Sequence, residues 1–117
     1  MTTEVLSELR DALRRFALER DWDQFHSPKS LACALSVEAA ELLEPFQWLS
    51  DAQSAALPAE TLGRVRHELA DVLLYLIRIA DKLDIDLALA ARDKMVINAQ
   101  RYPIAAARGT SRKYTEL

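Results

Sequence analysis

Glu38, Glu41, Glu68 and Asp71 stand out because apolar residues surround them. Leu31, Leu35, Glu38 and Leu42 follow the four-three-four spacing of one helical face, so Glu38 interrupts a core stripe and Glu41 flanks it. Glu68 and Asp71 form a second i, i+3 pair, and Asp71 interrupts the apolar run from Leu69 to Ala80. Four inward-facing carboxylates repel one another and are costly to desolvate. A hard cation between them removes both penalties. Mg²⁺ suits such a site: it takes oxygen ligands, keeps some waters and shares its shell with phosphates. A solvated helix face laced with Glu–Arg pairs would account for one E-x-x-E, but less well for two pairs set in apolar stripes.

Other inorganic chemistries fit poorly. A di-iron carboxylate site needs Glu-x-x-His on two helices, whereas His67 immediately precedes Glu68 and His26 lies in a connector. Zinc is badly served by one Cys and two distant His. There is no P-loop, no G-x-S-x-G and no credible Cys–His pair. Cations do accompany the carboxylates. Tyr75 and Arg78 follow Asp71 on the same helical face, and Lys94, Asn98 and Arg101 share a face further on. A polyphosphate needs such an arrangement, with metal on some oxygens and Lys or Arg on others. The rival reading for Arg78 is an ion pair with a carboxylate; for Lys94 and Asn98 it is solvated surface. Trp22 and Trp48 sit in connectors at opposite ends of the acidic helix, and flat aromatic surfaces near a phosphate site suit a nucleobase.

Four helical stretches must position these groups. The first spans about Thr3 to Arg20, with Val5, Leu6, Leu9, Leu13, Phe16 and Ala17 at helical spacing. Ser27-Pro28 reads as a cap and first turn, and the second helix runs to about Glu44, where Pro45 ends or kinks it. Residues 50–59 read as loop with room for one helical turn. Pro58 opens the third and longest helix, to about Leu83, whose second half is apolar on almost every face. One small domain cannot cover such a helix, which predicts a subunit interface. Asp86 caps the fourth helix, which Tyr102-Pro103 stops near Arg101, and the tail lacks periodicity. These readings predict a single all-α domain over residues 1–117, organised as a four-helix bundle.

Composition agrees. The 117 residues are 50% hydrophobic and 28% charged, one domain's worth of chain with too few Gly and Pro for an all-β fold. Net charge −3 and pI about 5.4 argue against a nucleic-acid polymer as partner, while a bound cation would still allow an anionic substrate. Cys33 stands alone, which predicts a reducing, cytoplasmic setting. The N-terminal stretch is amphipathic and is not expected to be a signal peptide; no apolar run suits a membrane span.

The blocks V-E-A-A-E-L-L-E-x-F-Q-W (Val37 to Trp48) and H-E-L-A-D-V-L-L-Y-L (His67 to Leu76) resemble the all-α nucleoside triphosphate pyrophosphohydrolases of the MazG type, marked by E-x-x-E followed by E-x-x-D. R-D-W-D-Q-F-H (Arg20 to His26), F-Q-W-L-S-D (Phe46 to Asp51), N-x-Q-R-Y-P (Asn98 to Pro103) and the terminal R-G-T-S-R-K-Y-T-E-L resemble the dCTP pyrophosphatase branch. The resemblance implies a four-helix unit that assembles into a homodimer or homotetramer, with active sites near subunit contacts. It implies Mg²⁺-dependent hydrolysis of a deoxynucleoside triphosphate to the monophosphate and pyrophosphate. Glu38, Glu41, Glu68 and Asp71 would be the metal ligands and catalytic residues. Lys94 and Asn98 match positions that meet the nucleotide; Trp22, His26, Trp48 and Tyr75 match positions around base and sugar. Water would attack the α-phosphorus, with Glu41 the candidate general base. A broader or dUTP-directed pyrophosphohydrolase, a phosphoribosyl-ATP pyrophosphatase and a non-catalytic helical interaction module are the alternatives.

Overall fold

The computed structural model describes residues 3–117. Met1 and Thr2, which head the stretch not expected to be a signal peptide, lie outside the described residues. Four long helices are present: α1 (Thr3–Glu19), α2 (Pro28–Leu43), α4 (Ala59–Lys82) and α5 (Leu87–Arg101). Two single-turn helices accompany them, α3 (Asp51–Ser54) and α6 (Ile104–Ala107), with 3-10 turns at Asp23–Phe25 and Tyr114–Glu116. No strand occurs among the described residues.

Local chemistry sets the boundaries. Ser27 Oγ accepts from the Ser30 N–H at 3.1 Å, capping α2, and Pro28 occupies its first turn. Pro45 follows α2, and the chain turns through residues 44–48. In the segment expected to be mostly loop, Ser50 and Gln53 form a reciprocal capping box that closes α3. Pro58 holds the N-cap position of α4, and Asp86 Oδ1 accepts from the Leu89 N–H at 3.0 Å to start α5.

α1 and α4 end in the same way. The Trp22 N–H bonds to Ala17 O and the Asp21 N–H to Leu18 O; the Ile85 N–H bonds to Ala80 O and the Asp84 N–H to Asp81 O. Both are Schellman motifs, with Asp21 and Asp84 in the left-handed region at φ 54°. Asp tolerates that region better than most residues but less well than Gly. The first of these motifs aims the chain at the connector that carries Trp22 and His26.

Two units partition the chain, one ending at Ile85 and one running from Asp86 to Leu117. In the first, α2 packs extensively on α4 and α1 packs on α4 as well. Its enclosed apolar side chains are Ala17, Leu31, Val65, Ile77 and Ala80. On α4, Leu62, Leu69 and Leu76 remain exposed. In the second unit the tail folds back on the end of α5. Tyr114 meets Tyr102 edge-on at 6.0 Å, and the Arg101 guanidinium lies 4.6 Å from the Tyr114 ring centre. The tail therefore has order that its lack of periodicity hid, because α6 and the last turn are too short to show a period. No helix among the described residues is long and apolar enough to cross a membrane.

Candidate active site

α2 contributes Glu38 and Glu41, and α4 contributes Glu68. One carboxylate oxygen from each lies within 4.8 Å of the other two, and all three residues are half-buried. Glu38 Oε2 and Glu68 Oε2 are fully enclosed and lack a hydrogen-bond partner. An unsatisfied buried polar atom costs about 1–3 kcal/mol, and more when charged. Glu38 is pushed up from 4.5 to about 7, first by burial and then by the neighbouring carboxylates of Glu41, Asp71 and Glu68. An all-oxygen cluster with two orphaned acceptors fits a hard cation. Asp71 stands outside the trio, three residues beyond Glu68 on α4, and acts on Glu38 through its charge.

Asp71 also lines a cavity of about 400 Å³, which joins the carboxylates to the aromatic residues. One wall comes from α1 (Leu9, Leu13, Phe16) and another from α4 (Leu74, Tyr75, Arg78), with Trp22 and His26 supplied by the connector. Trp22 meets Phe16 edge-on, with ring centres 5.6 Å apart. The volume lies within the range of small-molecule sites, and the mostly apolar lining with a few polar groups is the usual composition of one.

The connector is held by ions. Arg78 is buried, and each of its nitrogens donates: Nε to His26 Nδ1 at 3.2 Å, Nη1 to Asp81 Oδ2 at 3.3 Å, and Nη2 to Asp23 Oδ1 at 2.5 Å. Lys82 Nζ also donates to Asp23 Oδ1, at 2.5 Å. Arg14 of α1 reaches Asp81 through two nitrogens, one of them Nε at 2.8 Å. Lys82 foremost, with Arg78, holds the Asp23 carboxyl below its usual range; Arg14 foremost does the same for Asp81. Burial, then the charges of Arg78 and Lys82, lower the pKa of His26 against the opposing pull of Asp23.

The structure thus brings Trp22, His26, Asp71, Tyr75 and Arg78 to one cavity, beside the trio of glutamates. The ion-pair reading of Arg78 holds, since its three nitrogens donate to Asp23, Asp81 and His26. Trp48 does not line the cavity; it stands 87% exposed in the turn after α2. The 16 residues of α2, roughly 24 Å of helix, lie between the two tryptophans. Lys94 and Asn98 lie exposed on α5, in the second unit. Sequence reading missed Arg14, Asp23, Asp81 and Lys82. Only the i, i+3 spacing of Arg78 and Asp81 signalled any of these partners; the rest are 55 or more residues apart.

Residues 33–117 match the MazG-like family. The chain is 46% identical over 116 residues to dCTP pyrophosphatase 1 of Homo sapiens, covering 97% of this chain and 68% of that protein. It is 44% identical over 115 residues to dCTP pyrophosphatase 1 of Mus musculus, with the same coverage. A pyrophosphatase from Archaeoglobus fulgidus, known by crystallography, superposes with a TM-score of 0.79 at 42% identity, over 83% of this chain and 91% of that one.

Proposed function

Because the chain belongs to the MazG-like family, we propose that it hydrolyses dCTP, or a modified dCTP, to the monophosphate and pyrophosphate with Mg²⁺. The broader statement is firm: the chain is a nucleoside triphosphate pyrophosphohydrolase. One observation carries the assignment of the site. The glutamate trio, with two orphaned oxygens, adjoins through Asp71 a cavity walled by Trp22, His26 and Tyr75.

Glu38, Glu41, Glu68 and Asp71 would hold the metal. Bound there, Mg²⁺ supplies charge neutralisation for the triphosphate and acidification of a water. The glutamates give it oxygen ligands in a partly desolvated setting, where electrostatic attraction is stronger than in water. Glu41, whose oxygens are not among the buried orphans, takes the proton from the attacking water. Trp22 stacks on the base, and Tyr75 packs against the deoxyribose, leaving a 2′-hydroxyl without a partner. Lys94 and Asn98 would meet the nucleotide, as their match to the family pattern implies. Trp48 comes to a base from a second copy of the chain, in a homodimer or homotetramer.

A broader nucleotide range is the second reading, and the apolar character of the cavity favours it. Stacking is worth about 1–3 kcal/mol for any base and discriminates poorly. Pyrophosphate release from all eight common dNTPs and NTPs, with and without Mg²⁺, tests both. Preference for dCTP that vanishes without Mg²⁺ supports the first. Equal hydrolysis of dATP or dTTP overturns the cytosine assignment, and no metal-dependent release from any nucleotide overturns the site.

A further inference from the structure

Arg78 fixes the protonation pattern of His26. The guanidinium Nε is always a donor, so His26 Nδ1 must accept its bond. A neutral imidazole that accepts at Nδ1 carries its proton on Nε2. His26 is half-buried, and burial with the charges of Arg78 and Lys82 outweighs Asp23 in favouring the neutral ring. Arg78 itself is held rigidly, because Asp81 and Asp23 take its other two nitrogens from α4 and from the connector. Among the described residues no acceptor takes a proton from His26 Nε2, and His26 lines the cavity.

We propose that Arg78 is a positioning residue for substrate selection, locking His26 as an Nε2–H donor that takes an acceptor on the edge of the base. The nucleotide in this statement rests on the reading under Proposed function. The chemistry then distinguishes pyrimidines. Ring position N3 of cytosine is an acceptor and pairs with a donor; N3 of thymine and uracil carries a hydrogen and would face the Nε2–H proton to proton. A site built around one polar partner rejects its mismatch strongly, because the mismatch leaves a buried polar group unpaired. Lysine cannot replace the arginine, since an ammonium lacks the planar fork that serves three partners at fixed angles.

Two readouts test this on the full-length protein. Long-range ¹H–¹⁵N correlation on the nucleotide-free wild type reports the His26 tautomer at pH 7.5. The Nε2–H form is expected; the Nδ1–H form or an imidazolium overturns the proposal. This spectrum does not depend on hydrolysis, so it stands or falls apart from the assigned reaction. The second readout is kcat/KM for dCTP and dTTP. Arg78→Lys should raise KM for dCTP on the order of ten-fold with kcat nearly kept, the effect of one hydrogen bond, and should narrow the dCTP:dTTP ratio by a similar factor. In a His26→Gln background, where the amide keeps a donor without help from Arg78, the same change should leave the ratio nearly unaltered. Equal loss for both nucleotides, or an undiminished effect in the His26→Gln background, would mean a merely structural clamp and overturns the proposal. Should Arg78→Lys fail to fold, Asp23→Asn at the exposed end of the network replaces it: the same readouts apply, with the same results expected and the same results overturning the proposal.

Discussion

Glu38 keeps its proton to about pH 7 in the metal-free protein, against 4.5 for an ordinary glutamate. Between those values the unfolded chain has released the proton and the folded chain has not. Stability from this group therefore falls as pH rises through that window. His26 works in the opposite sense. Its folded pKa lies below 6.5, so the unfolded chain binds the proton first and stability rises with pH up to about that value. Comparing the parent with Glu38→Gln cancels the histidine. In chelator, melting temperature from pH 5 to 7.5 should drop more for the parent than for Glu38→Gln, and Mg²⁺ should restore the parent alone. Parallel profiles would show that Glu38 is not a strained carboxyl. At the same scale, Ala at Glu38, Glu41, Glu68 or Asp71 should lower kcat/KM at least about 100-fold while far-ultraviolet circular dichroism stays unchanged. Near-parental rates in any two of the four variants would remove the metal assignment.

At the level of elements, the two Schellman motifs decide where the connector starts. Asp84 sits at φ 54° after α4 and Asp21 at the same φ after α1, just before Trp22. Asp84→Val should destabilise by about 1–2 kcal/mol, the cost of a left-handed non-glycine residue, whereas Asp84→Gly should hold or raise stability. For a chain of this size the difference is several degrees in Tm. Equal melting of the Val and Gly variants would mean that α4 ends otherwise in solution. The caps at Ser27, Asp86 and Pro58 were legible because Ser, Asp and Pro advertise helix starts. The left-handed ends were not, because the usual sign is glycine and both positions hold aspartate.

The whole chain leaves much apolar surface in water. Leu62, Leu69 and Leu76 on α4 and Met95, Val96 and Ile97 on α5 are exposed, while only five apolar side chains among the described residues are enclosed. Patches of this kind mark association surfaces, and a stable one buries about 1,200–2,000 Å². Light scattering at micromolar concentration should give a multiple of 13.2 kDa. An active particle of monomer mass would show that the exposed α4 face needs no partner and that Trp48 acts from its own chain or not at all.

Helix positions and the acidic pairs were readable from Glu38 to Asp71 because their information is local: a period of 3.6, a cap, a proline, a carboxylate where a leucine belongs. The resemblance of the motif blocks carried the family. Three outcomes needed the fold. The convergence of Glu38, Glu41 and Glu68 to within 4.8 Å depends on how α2 lies on α4. That Trp48 stands exposed and apart from the cavity lined by Trp22 depends on where the turn after α2 lies. Arg78 shares a helical face with Asp71 in any periodicity plot, yet its guanidinium meets His26 and Asp23 of the connector. A side chain with three donor nitrogens in fixed directions goes where acceptors converge, and two of its three acceptors come from a segment more than 50 residues away, which spacing along one helix cannot reveal.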